Sequence, residues 1–97
     1  MKTKKLRSDK IYRAKKNGFI VAQLSAGNGS RATVRIKGID DNGNKVQLGM
    51  GSVHNNSRPD TIVPYDTTTV YIKRGYRFEI EYFPFSHSSL NAYFQEL

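Results

Sequence analysis

From Gly18 onward the chain alternates apolar and polar residues in short runs, each closed by glycine, asparagine or aspartate. Period-two alternation gives a run one apolar edge and one polar edge, which suits a strand covered on a single face. The runs fall at 18–25, 31–39, 44–53, 61–65, 67–73 and 76–83. So many short strands linked by tight turns predict an all-β fold, a small antiparallel β-sandwich or partly open barrel of six to seven strands. A chain of 97 residues seldom divides its core, so 18–97 reads as a single β domain preceded by a basic N-terminal arm over 1–17.

Turn chemistry sets the expected registers. A two-residue turn at Asn42-Gly43 would place Lys37 opposite Leu48 and Arg35 opposite Met50, charge against core. A three-residue loop of Asp41, Asn42 and a left-handed Gly43 instead faces Ile36 with Leu48 and Val34 with Met50, which yields one apolar face. By the same rule a Lys73-Arg74-Gly75 turn makes 67–83 a hairpin, pairing Ile72 with Tyr76, Val70 with Phe78 and Thr68 with Ile80 on the inside. Tyr82 extends that inner set, while Tyr71 meets Arg77 and Thr69 meets Glu79 on the reverse face. Residues 88–97 carry two patterns. Leu90, Tyr93, Phe94 and Leu97 have helical spacing behind Ser88 or Ser89, whereas Leu90, Ala92 and Phe94 alternate as in a seventh strand; a short C-terminal helix is the preferred reading.

The net charge of +8 is unevenly spread along the chain. Lys2, Lys4, Lys5, Arg7, Lys10, Arg13, Lys15 and Lys16 stand against Asp9 alone in residues 1–16, whereas the remainder sets eight cations against seven carboxylates. The arm is therefore a concentrated basic segment on a nearly neutral body, a pattern that suits either a solvated tail aiding solubility or an arm that meets a polyanion. Ser8 as cap, Asp9 in the first turn and Asn17-Gly18 as stop allow part of it to form a short helix. Phosphates would be neutralised with release of counterions, and an acidic protein or an anionic lipid surface offers the same chemistry.

Two further places offer binding groups. At the 73–77 tip, Lys73, Arg74 and Arg77 lie near Tyr71, cations beside a ring that can stack a base, although Glu79 and Glu81 share the outer face and repel phosphate. The long polar loop over 49–60 offers Arg58, with Asn55 and Asn56.

Chemistry is poorly provided for. With no cysteine there is no disulfide frame, thiolate nucleophile or thiolate metal site. His54 and His87 sit apart in polar stretches, and no nucleophile, base or carboxylate pair is spaced for catalysis, so neither an enzyme nor a metal or other cofactor is expected. The glycines of "SAGNGSR" precede a strand rather than a helix, which makes 25–31 an inter-strand loop and not a phosphate cradle. No stretch approaches the roughly 18 apolar residues of a membrane span, and no apolar run follows the basic start, so a soluble, cytoplasmic chain is expected. The functional expectation is a non-catalytic nucleic-acid-binding module whose arm holds phosphates. Its rival is a protein-interaction or assembly module, in which the near-neutral body docks an acidic protein partner or further copies of itself as a homo-oligomer.

Overall fold

The computed structural model describes residues 2–27, 29–55, 65–85 and 87–97. These form eight strands and no helix: β1 (Thr3–Lys5), β2 (Ile11–Arg13), β3 (Gly18–Ala26), β4 (Arg31–Ile39), β5 (Lys45–His54), β6 (Tyr65–Ile72), β7 (Arg77–Phe85) and β8 (Ser88–Glu96). Two four-stranded antiparallel sheets result, sheet I in the order β1-β8-β3-β6 and sheet II in the order β2-β7-β4-β5. The all-β, two-sheet expectation holds, and a closed barrel does not form. The count among the described residues is eight strands rather than six to seven, because both ends of the chain are strands; the strand expected at 61–65 lies outside the described residues except for Tyr65, which opens β6.

The core lies between the sheets. Ile20, Ala22, Leu24 and Ala26 of β3, with Ala92 and Phe94 of β8, meet Val34 and Ile36 of β4 and Phe78 and Ile80 of β7, all buried. Strict alternation along β3 produces this directly, since every second residue faces inward. Each large side chain so buried contributes roughly 1.5 to 3 kcal/mol before chain entropy is counted.

The expected C-terminal helix is replaced by β8. Leu90, Ala92 and Phe94 lie opposite Leu24, Ala22 and Ile20, so a strand buries them against an apolar partner row, while a short helix would have turned Tyr93 inward as well. The expected N-terminal helix is likewise absent. β1 pairs with β8, setting Thr3 against Gln95, and β2 pairs with β7, setting Tyr12 against Phe78. Leu6 and Ala14 enter the core, and Tyr12 stacks on Phe78 with centroids 5.5 Å apart. Two turns of helix with so few apolar residues are marginal alone, whereas both sheets offer edge groups that need partners.

The β4–β5 loop forms as its residues dictate. Gly43 has φ +82°, its N–H donates to the Asp40 carbonyl at 3.0 Å, and Asp40 N–H donates to Asn44 O at 3.0 Å. Pairing then runs Ile39 with Lys45, Gly38 with Val46 and Lys37 with Gln47 until a bulge shifts it, after which Ile36 faces Gly49, Arg35 faces Met50 and Val34 faces Gly51. The expected pairing of Ile36 with Leu48 and Val34 with Met50 is lost for a steric reason. β5 closes against β6 of the other sheet, where a Cβ on Gly49 would lie 2.8 Å from Val70 and one on Gly51 would collide with Thr68. The bulge turns glycines into that seam and Met50 out to solvent.

The 67–83 hairpin does not form either. β6 joins sheet I beside β3, and β7 joins sheet II beside β4, so the turn at 73–76 crosses between sheets. It is still a tight turn, with Tyr76 N–H donating to Lys73 O at 3.2 Å and Gly75 at φ +92°. Parting the strands gives Ile20 its neighbour Val70 and Ile36 its neighbour Ile80. Ile72, Phe78 and Ile80 are buried as expected, but Tyr76 is 58% exposed and Tyr71 faces out from sheet I, not opposite Arg77.

Candidate polyanion-binding face

Backbone contacts bring two sequence-distant basic segments to one end of the sandwich. Ala14 N–H donates to Tyr76 O at 2.8 Å and Gly75 N–H donates to Ala14 O at 2.7 Å, so the turn after β6 is sewn to the segment after β2. Arg13 Nη1 donates to Gly75 O at 2.7 Å, and Arg74 N–H donates to the Asn17 side-chain oxygen at 2.8 Å. Arg13, Lys15, Lys16, Lys73 and Arg74 thus share one end, all exposed. Arg77 lies beside Arg13 across the β2–β7 pair, and the two flank an open cleft of about 280 Å³ lined also by Tyr76, Asp40 and Asp41. Asp40 is partly spent on the fold: its Oδ1 accepts from Asn42 and Asn44 N–H at 2.9 and 2.8 Å, and its carbonyl accepts from Arg77 Nη2 at 2.6 Å.

The basic end continues onto the outer face of sheet II. Register places residues on that face in rows across the strands: Lys45–Ile39–Arg77–Arg13, Gln47–Lys37–Glu79–Ile11, Met50–Arg35–Glu81, Ser52–Thr33–Phe83 and His54–Arg31–Phe85. In the last rows, the Arg31 guanidinium carbon lies 5.1 Å from the Phe85 ring centroid and that of Arg35 lies 5.3 Å from Phe83. Phe83 and Phe85 are nevertheless 50% and 54% exposed, and Met50 53%. The two carboxylates of the face are countered by Lys45, whose ammonium contacts Glu79 and lies 3.9 Å from Glu81. Contact with the Glu79 carboxylate raises Lys45 above its ordinary value of 10.5, opposed by desolvation and helped least by Glu81.

Every described cation of the body lies on this face or at the adjoining turn: Arg31, Arg35, Lys37, Lys45 and Arg77 on the strands, Lys73 and Arg74 at the tip. A near-zero charge sum over 18–97 conceals this one-sidedness. The sequence reading missed Arg31, Arg35, Lys37, Phe83 and Phe85, although a signal was present: the cations alternate with buried Ala32, Val34 and Ile36, which sets all three on the outside of one strand.

The other expected site residues are dispersed. Lys4 and Lys10 each lie 5.5 Å from the Tyr12 ring at the open edge near the basic end. Arg7 pairs with Asp9 at 3.1 Å, the arm's only ion pair among the described residues, and Lys2 lends its carbonyl to Glu96 N–H at 2.9 Å. Lys5 and Tyr71 face out from sheet I, and Tyr71 packs edge-on against Phe19 with centroids 5.6 Å apart. Arg58 and Asn56 lie outside the described residues. Asn55 is buried, its amide donating to Ala26 O at 3.0 Å, so it serves the loop and not a surface. Among the described residues no group of histidine and carboxylate side chains could hold a metal ion, and no helix is long and apolar enough to cross a membrane. Comparison with protein-family models, curated proteins and solved structures finds no match for this chain.

Proposed function

We propose that the chain is a non-catalytic nucleic-acid-binding module whose contact surface is the basic end together with the outer face of sheet II. The observation that carries this reading is the one-sided gathering of the body's cations with Arg13, Lys15 and Lys16 of the leading segment. Phosphate contacts release counterions, and several lysines and arginines on one face do so together where the same number scattered would not. Lys45 in contact with Glu79, with Lys37 and Arg35 in the same rows, counters the objection posed by Glu79 and Glu81. The test is a titration of labelled single- and double-stranded oligonucleotides at several salt concentrations. Replacing Lys15, Lys16, Lys73 and Arg74 together with Ala is expected to weaken binding by tenfold or more and to reduce the salt slope by about 3. Unchanged affinity and slope would remove the basic end from the mechanism.

A second reading, a protein-interaction or assembly module, is favoured by Val46, Leu48 and Met50, which stand exposed along β5. Interfaces are enriched in methionine, aromatic residues and arginine, and of these β5 residues Met50 stands with Phe83, Phe85, Arg31 and Arg35 on the outer face of sheet II. Light scattering separates the two readings: a mass that rises with concentration, without oligonucleotide binding, selects assembly.

A further inference from the structure

We infer that the far rows of sheet II form a stacking platform that takes unpaired bases, so that the ligand is a single-stranded nucleic acid; this rests on the nucleic-acid reading above and makes it more specific. Phe83 and Phe85 leave β7 on the same side, about 6.8 Å apart by the rise of an extended strand, and both rings are half exposed. On β4 beside them, Arg35 and Arg31 lie against the rings and keep their remaining guanidinium donors free of any carboxylate within ion-pair distance among the described residues. Ring and cation thus alternate across adjacent strands, with Thr33, Ser52 and His54 in the same rows to meet base edges.

An aromatic ring on an open sheet can receive the face of a base only if that base is not already stacked and paired. A duplex offers its base edges in grooves, and reading them takes an inserted helix or ribbon; a flat sheet face presents neither. Single strands splay their bases onto such rings while cations follow the phosphates, and Arg31, Arg35 and Lys37 line β4 from the platform toward Arg77 and Arg13.

The same stretch is poorly suited to pairing with another strand. Among the described residues β2 covers β7 only from Arg77 to Glu79, which leaves the edge open at Phe83–Phe85, but Pro84 sits between the two rings. Proline is accommodated where its nitrogen faces an open edge, and there it deprives an incoming strand of a donor.

The test measures binding of a fluorescein-labelled twelve-residue oligothymidylate and of a twelve-base-pair duplex by anisotropy, with the full chain and two double variants. Phe83→Ala/Phe85→Ala removes the rings; Phe83→Leu/Phe85→Leu keeps apolar cover over the strand and removes only the flat face. The wild type is expected to prefer the single strand. Both variants are expected to lose roughly 5- to 150-fold in single-strand affinity for each base that was stacked, with the salt slope and duplex affinity unchanged. An unaltered single-strand preference in the leucine variant overturns the platform, as does equal loss on both ligands. Loss of self-association in light scattering with oligothymidylate binding intact also overturns it and assigns the rings to contact between copies. If the wild type binds neither oligonucleotide, both this inference and the reading beneath it fail; if it binds both equally through the lysines, only this inference fails.

Discussion

The two sheets are built alike and finished differently. Each has four antiparallel strands, and each turns an aliphatic row inward. The outer rows of sheet I are Tyr65–Ser25–Ser89, Thr67–Gln23–Asn91, Thr69–Val21–Tyr93–Lys5 and Tyr71–Phe19–Gln95–Thr3, with Lys5 on the edge strand as their single charge. Polar groups there satisfy one another: Asn91 Nδ2 donates to Gln23 Oε1 at 3.1 Å, and the Ser25 and Ser89 hydroxyls are 2.5 Å apart. Carboxylates on the strands of sheet I, Asp66 and Glu96, belong to the inward-facing parity, and Asp66 accepts from Ser52 N–H at 2.8 Å. Sheet II, by contrast, carries arginines over half-exposed phenylalanines. Sheet I also exposes rings, Tyr65 and Tyr71 among them, but it sets them among hydroxyls and amides with a single cation. What sheet II adds is cations laid against exposed rings, which a wet outer face does not require, and exposed apolar groups on a small domain carry a cost in solubility. Their presence is therefore the better guide to what the molecule meets.

The inner faces of the two sheets share one core, and there the largest effect is expected. Leu24 of sheet I and Ile36 of sheet II are both fully buried. Leu24→Ala and Ile36→Ala are each expected to cost about 2 to 5 kcal/mol in urea unfolding, a large part of the stability of a domain this size. A cost below about 1 kcal/mol for either one would show that its sheet is not part of a shared core, and the two faces could then no longer be compared on equal terms.

Much of this architecture is written in local pattern. The run at 31–39 coincides with β4, that at 18–25 falls one residue short of β3, and the Asp41-Asn42-Gly43 loop closes as its glycine requires. What local pattern does not carry is partner choice. A tight turn at 73–76 is compatible with a hairpin or with a crossing between sheets, and only the apolar rows of β3 and β4, far away in sequence, decide between them. The bulge at Leu48 has the same origin, since the need for glycine arises from β6 on the opposite sheet. For the candidate face, the basic clusters were apparent as runs in residues 2–16 and 73–77, but their union depends on backbone bonds between Ala14, Gly75 and Tyr76. Summed charge hid the rest, because a sum has no parity and does not show that Arg31, Arg35 and Lys37 share the outside of β4.

A matched pair of surface variants sharpens the contrast at intermediate size. Arg31→Thr/Arg35→Thr makes β4 resemble the threonine rows of sheet I. It is expected to weaken oligothymidylate binding about tenfold and to lower the salt slope by about 1.4, the share of two phosphate contacts. Gln23→Ala/Asn91→Ala on sheet I removes a comparable amount of polar surface and is expected to leave affinity within about twofold, with stability changed by about 0.5 kcal/mol or less. Equal losses from both pairs would mean that neither face is favoured, and the assignment to sheet II would not stand.

The smallest effect separates the two faces by the chemistry of their cross-strand pairs. Sheet I joins neighbouring strands through neutral amides, Gln23 with Asn91, whereas sheet II ties β5 to β7 across the intervening β4 through Lys45 and the carboxylates of β7. Only the second pairing responds to pH. Contact with Glu79, joined by Glu81, raises Lys45 in the folded chain above 10.5, so folding favours its charged form. The resulting stabilisation is complete below the ordinary lysine value and is lost as pH rises through the raised folded value. The stability difference between wild type and Lys45→Gln is therefore expected to stay constant from neutral pH to about 10 and then to shrink. The difference for Gln23→Ala/Asn91→Ala should remain flat over the same range, and subtracting each variant from wild type cancels the titration of tyrosines common to both. A Lys45→Gln difference that stays flat through pH of about 11 would show that the ammonium gains nothing from Glu79. In that case only Lys37 and Arg35, their neighbours across the β4–β7 pair, would stand between the two glutamates and phosphate, in the middle of the face assigned to hold it.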